Sequence, residues 1–165
     1  MHITIAAVTA LAAWKWGDWR NWKKYEPTML FMAFLAMVYE FLTKDYSLWE
    51  FHPDIIANQT TIVLLYASFT MPLTALIFLS NYPDRFGKLV VYYLMWVGIY
   101  VGVEVILYVS RRITYSHRWN LLWSVLFDVV MFPILRLHGK KPLITYIICV
   151  PIILVYLSIF KVPLK

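Results

Sequence analysis

The sequence predicts an all-α integral membrane protein. It would be a compact bundle of six transmembrane helices, or five if the first segment does not cross, in one domain over residues 1–165. Three observations predict it. Hydrophobic residues make up 62% of the chain and charged residues only 15%, against about 45–50% apolar and about 25% charged in soluble domains. The charges fall in short clusters between six apolar segments. The chain carries 8 Trp and 12 Tyr, residues that favour the membrane–water interface, where an apolar ring meets a polar edge. The net charge of +6 then reads as positive membrane flanks and not as a nucleic-acid surface.

The first segment runs from about Ile3 to Trp16. It is short for a span, which takes about 17–25 residues, so a surface or re-entrant helix is the alternative. No basic region leads it, and Trp14-Lys15-Trp16 is a poor cleavage site, so it reads as a retained helix rather than a signal peptide. The second segment is Thr28–Leu42, with Pro27 suited to its first turn. The third, Thr60–Ser80, is interrupted by Pro72; the fourth is Leu89–Val109; the fifth, Trp119–Leu137, holds Pro133; the sixth, Pro142–Phe160, holds Pro151. Proline is tolerated in membrane helices because neighbours serve the freed carbonyl.

Most connections are short. Asn81-Tyr82-Pro83-Asp84 and His138-Gly139-Lys140-Lys141-Pro142 are turns. The longest, TKDYSLWEFHPDIIANQ over 43–59, has room for a short interfacial helix. With six spans, nine Lys and Arg fall on the side of the 15–24, 85–88 and 136–141 clusters and six on the other. The excess places both termini outside.

The stretch WKWGDWRNWKKYEP, residues 14–27, mixes four tryptophans with four cations. As a helix at headgroup depth it sets Trp16, Trp19 and Trp22 at the acyl boundary. Arg20, Lys23 and Lys24 then meet anionic lipid phosphates.

Three acids lie in or at the edge of apolar segments. An Asp at the centre of a membrane helix costs about 2.5–3.5 kcal/mol on insertion scales, so such residues face the bundle interior. Asp128 is near mid-membrane, and Asn120, Ser124 and Asp128 share one helix face at i, i+4, i+8. Glu104 belongs to a stripe with Trp96, Tyr100 and Tyr108. Glu40 ends the second segment nearer the interface. The third segment adds Tyr66, Thr70 and Thr74. Together these predict a polar cavity opening outward, lined by Glu104, Asp128, Asn120, Ser124, Tyr100, Thr70 and Tyr66. The competing reading makes them interhelical hydrogen bonds, each contributing about 0.6 kcal/mol. Gly98 and Gly102 form a GxxxG, suited to close helix packing within the chain or in a homodimer.

The four histidines, His2, His52, His117 and His138, avoid mid-membrane and offer no i, i+4 ligand pair, so no metal site is predicted. With a single cysteine, Cys149, no intramolecular disulfide forms. No nucleophile, phosphate-loop or dinucleotide motif is present, so no catalytic residue and no cofactor are predicted.

The stretches WGDWRNWKKYEPTMLF, FLTKDYSLWEF and HRWNLLWSVLFDVVMFPILRLHGKKPLITY resemble a family of small polytopic membrane proteins of spore-forming Firmicutes such as Bacillus and Clostridium. The resemblance covers nearly the whole chain. It rests on WxxWR…YxPT, on Trp49-Glu50 and on MFPILRLHGKKP. It implies a multi-pass protein of the bacterial cytoplasmic membrane and implies no activity or catalytic residue.

The expectation is binding, extending to transport, of a small polar, cationic or lipid-headgroup ligand. The alternatives are a structural or accessory protein with a membrane partner and, third, an intramembrane lipid-modifying enzyme that grips phosphate through Arg111, Arg112 or Arg118. Membrane lipids are the expected surroundings of every reading.

Overall fold

A computed structural model describes residues 1–53 and 58–163. Six helices run in order: α1 (His2–Trp16), α2 (Trp22–Thr43), α3 (Gln59–Ser80), α4 (Phe86–Val109), α5 (Leu121–His138) and α6 (Pro142–Ile159). Helices α2 to α6 are long and apolar enough to cross a membrane. Helix α1 has 15 residues and rises about 22 Å, short of an untilted crossing of a core about 30 Å thick.

The burial pattern is that of a membrane protein. Helix α4 has a mean hydropathy of 1.9, yet only 6% of its most apolar window is buried. Val90, Val91, Leu94, Ile106 and Val109 are all exposed. An apolar surface of that extent on a hydropathic helix is one that lipid covers. Helix α3 is the opposite case, with 56% of its window buried, and forms the centre.

Hydrogen bonds fix which helix ends meet. At the start of α1, His2 Nε2 donates to the His52 carbonyl at 3.0 Å, which leaves Nδ1 to accept from the Tyr66 hydroxyl at 3.2 Å. At its other end, Asn81 Nδ2 donates to the Trp16 carbonyl (2.8 Å) and Asp18 N donates to Ser80 Oγ (2.9 Å). Two short strands, β1 (Trp49–Phe51) and β2 (Ile113–Tyr115), pair antiparallel with Trp49 opposite Tyr115. They bring the α2–α3 and α4–α5 connections to one end of the molecule, where Leu48 and Trp119 also pack with Phe160 and Val162 after α6. The helices therefore alternate in direction between a sheet end and a tryptophan end.

The connection between α2 and α3 has room for a short interfacial helix. Its described part instead holds β1, because Trp-Glu-Phe meets the β-branched and aromatic Ile-Thr-Tyr of the other connection; residues 54–57 lie outside the described residues. Helix α2 begins at Trp22 and not at Thr28. Pro27 consequently sits inside it and removes a donor from the exposed Lys23 carbonyl turn, where solvent can serve it. The predicted break at Pro72 takes a definite form. Residues Tyr66–Thr70 make a π turn, and Thr70 Oγ1 donates to the Leu65 carbonyl at 3.3 Å. A local π adjustment is one way a membrane helix accommodates a proline that cannot donate.

The bundle is built of two halves. Helix α3 packs on α1 and α2, and α5 packs on α4 and α6. A layer of rings joins them around the fully buried Phe78 of α3. Its centroid is 5.5 Å from Tyr92, 5.8 Å from Trp96 and 5.0 Å from Phe132. Tyr92 donates to the Phe78 carbonyl at 2.8 Å, and the Tyr82 and Tyr93 hydroxyls meet at 3.0 Å. In lipid the hydrophobic effect does not hold helices together. Close packing and hydrogen bonds do, which is why the layer is aromatic and its hydroxyls are paired.

Candidate functional site

The polar centre is assembled by α4, α5 and β2. Asn120 adopts extended backbone, and its Oδ1 accepts from the N–H of Leu122 (3.0 Å) and Trp123 (3.3 Å). This N-cap starts α5 at a defined residue. One buried stripe then descends at i+4 spacing: Ser124, Asp128 and Phe132, 6%, 5% and 1% exposed.

Glu104 reaches this stripe from α4. Its Oε1 accepts from Ser124 Oγ at 2.5 Å and from the Tyr115 hydroxyl at 2.7 Å. Ser124 Oγ in turn accepts from the Trp119 indole N–H at 2.9 Å. Trp119, Ser124, Glu104 and Tyr115 thus form a chain in which each donor has a specified acceptor. Tyr115 also stacks on Tyr108 at 5.0 Å. Burial, and then the hydrogen bond to Glu104, raise the Tyr115 phenol above its ordinary range.

Asp128 lies one turn deeper. It is within electrostatic reach of Glu104, Tyr100 and Tyr156. Its Oδ2 is buried and has no hydrogen-bond partner among the described residues. The Tyr100 hydroxyl meets Thr74 Oγ1 at 2.5 Å, tying α4 to α3 beside the acids.

The predicted cavity residues therefore separate into two places. Glu104, Asp128, Ser124 and Tyr100 come together. Asn120 is at the mouth of the same helix face but spends its side chain on the cap. Tyr66 lies at the sheet end, bonded to His2 and stacked on Phe51 at 4.7 Å. Thr70 is bonded within the π turn. Thr74, one turn on, is the residue of α3 that joins the polar centre.

A cavity of about 190 Å³ lies beside this centre, between α2 and α3 on one side and α5 and α6 on the other, with Trp119 in its lining. Of the predicted residues only Tyr66 lines it. A second space of about 200 Å³ adjoins Tyr115, Asn120 and Tyr108.

At the tryptophan end, Trp16, Trp19 and Trp22 are 54%, 43% and 39% exposed, and Arg20, Lys23 and Lys24 are exposed beside them. The stretch is not one helix. It breaks at Gly17-Asp18 and makes a 3₁₀ turn over Trp19–Asn21, whose end Asp18 caps by accepting from Asn21 N at 3.3 Å. The indole N–H of Trp19 donates to the Ala13 carbonyl at 2.7 Å. Gly98 and Gly102 face open space: a Cβ on either would meet nothing within 4 Å among the described residues.

The histidines are spread out. His52 Nε2 meets Thr114 Oγ1 at 2.9 Å, and His117 Nδ1 donates to the Ser47 carbonyl at 3.0 Å. His138 meets Thr28 Oγ1 at 3.0 Å and stacks on Phe31 at 4.1 Å. No group of three or more metal-type side chains gathers among the described residues.

Tyr115 and Trp119 were missed as site residues. Neither lies in the helical stripe that the i, i+4 spacing selects. Only the pairing of β1 with β2 folds Tyr115 back over α4, and that pairing rests on three residues per strand.

No family model, no curated protein and no solved structure matches this chain.

Proposed function

We propose that all six helices cross the bilayer of a bacterial cytoplasmic membrane, with the tryptophan end in the cytoplasm. We further propose that the Glu104–Asp128 pair binds a small cationic ligand, an amine or ammonium group. The observation that carries the reading is the buried Asp128 carboxyl, with Oδ2 unpartnered among the described residues and a second acid beside it. Two acids this close in a low-dielectric bundle need a proton or a cation between them. An ammonium supplies both the charge and the donors that the free oxygen lacks. The excess of Lys and Arg at the tryptophan end supports the orientation, and α1, which runs from the sheet end to the tryptophan end, supports the sixth crossing.

A second reading, an accessory protein whose acids hold its own helices, is favoured by Glu104. That carboxylate already has two donors from its own chain.

Unfolding in the presence of ammonium, ethanolamine and choline separates the readings. A ligand that binds only the folded state at a hundred times its Kd stabilises it by about 2.7 kcal/mol. The binding reading expects such a shift for at least one of the three, absent with sodium or glucose and lost in Asp128→Asn and Glu104→Gln. Shifts that survive both substitutions, or no shift at all, favour the accessory reading.

A further inference from the structure

The cavity of about 190 Å³ between the two halves lies beside the polar centre and shares Trp119 with it, but neither Glu104 nor Asp128 lines it. Its polar side chains are grouped. Glu40, Tyr39, Thr43 and Trp49 stand at the sheet end, while Met32, Leu135 and Cys149 line the other part. Met32 is eight residues from Glu40 on the same helix, about 12 Å along its axis. Glu40 is the one charged side chain among the described lining residues. Tyr39 stacks on Trp49 at 4.0 Å and Trp49 packs on Trp119 at 4.7 Å, which fixes this end as a rigid aromatic rim.

We infer that this cavity is a binding site for a single-chain amphiphile with a cationic head, a long-chain alkylamine. Each part of such a molecule has a counterpart. Lining atoms that face a void lose dispersion partners, and an aliphatic chain restores them. Four helices surround the space, so one chain fits where a two-chain lipid would have to part them. Tryptophan and tyrosine at the rim belong at headgroup depth, where an amine would sit. Glu40 sets the sign of that head: a carboxylate in the lining at this end favours an ammonium and repels a phosphate, sulfate or carboxylate. Charge complementarity and depth thus select one occupant, whereas the apolar walls alone would admit any tail. The site shares no acid with Glu104 and Asp128.

The test uses the full chain in phosphatidylcholine nanodiscs and dodecylamine carrying a terminal diazirine. After photolysis, peptide mapping should place the label on Met131, Leu135, Cys149 and Ile153, and unlabelled dodecylamine should compete it away. Replacing the amine by the corresponding alcohol, or Glu40 by Gln, should lower labelling about tenfold, the scale of one charge-assisted hydrogen bond. Ala36→Phe, which fills the cavity from α2, should abolish it while leaving Trp fluorescence native-like. Asp128→Asn should leave it unchanged, so that this inference and the cation-binding reading fail separately. Label spread over the lipid-facing Val91, Leu94 and Ile147 with no competition would overturn the inference. So would equal labelling by the dodecyl sulfate analogue, which would show a crevice with no preference for the head.

Discussion

Replacing Ser124 by alanine tests whether Glu104 is held as described. The change removes one buried oxygen and leaves the helix and its cap in place. Two hydrogen bonds go with it: the 2.5 Å bond to Glu104 Oε1 and the 2.9 Å bond from Trp119 Nε1. Interhelical hydrogen bonds in membrane proteins average about 0.6 kcal/mol, so two average bonds would contribute roughly 1 kcal/mol. A bond to an ionised group is worth about 1.5–3 kcal/mol, and an orphaned buried indole N–H costs about 1–3 kcal/mol. The expected loss is therefore about 1–3 kcal/mol, roughly five- to more than a hundredfold in the unfolding equilibrium. Reversible unfolding by sodium dodecyl sulfate in mixed micelles measures it. Tyr115 donates to the same oxygen, so Ser124→Ala and Tyr115→Phe should couple. With one donor lost the other compensates; with both lost the carboxylate is bare, and the double variant should exceed the sum of the single ones. A Ser124→Ala cost below about 0.5 kcal/mol, or strict additivity, would refute the network.

The geometry sets three further outcomes. Gly17→Ala places a Cβ 2.5 Å from the Ala13 carbonyl oxygen and 3.1 Å from Leu76 Cδ2, so the same micelle titration should show a loss of about 1–3 kcal/mol, and a neutral result would mean the α1–α3 contact is looser than it stands. The folded state favours the neutral Tyr115 phenol, so that contribution is complete below the unfolded value near 10 and fades as pH rises above it; the stability gap between wild type and Tyr115→Phe should be flat from neutral pH to about 9 and narrow beyond it, and a gap that widens would contradict the sign. In a Cys149→Ala background, cysteines at Ser47, Ser116 and the exposed Ile3 should react with an impermeant maleimide from one face and a cysteine at Asn81 from the other; Ile3→Cys reacting from the same face as Asn81→Cys would show that α1 does not cross.

The helices were legible because lipid writes a long-range signal: a run of apolar residues bounded by charges needs no partner to be recognised. The i, i+4 rule likewise brought Ser124 and Asp128 onto one face and Glu104 towards them. It failed for Tyr66 and Thr70 because spacing on α3 is counted at 3.6 residues per turn, while Tyr66–Thr70 form a π turn that rotates the C-terminal half of the helix. Thr74, beyond that turn, is the residue that meets Tyr100. Tyr115 was hidden for a different reason. A three-residue strand has no periodicity to detect, and its partner lies in another connection more than sixty residues away in sequence. The cavity by Glu40 was illegible because it belongs to no single segment: its lining comes from α2, α3, α5 and α6 and from both connections at the sheet end.

Native mass spectrometry of the protein released from gently solubilised membranes tests the central claim most directly. The account predicts a defined small-molecule adduct bearing an amine or ammonium, retained by wild type and by Glu40→Gln and lost from Asp128→Asn and Glu104→Gln. A bare wild-type chain, or adducts of bulk phospholipid alone that both acid substitutions leave unchanged, would contradict it.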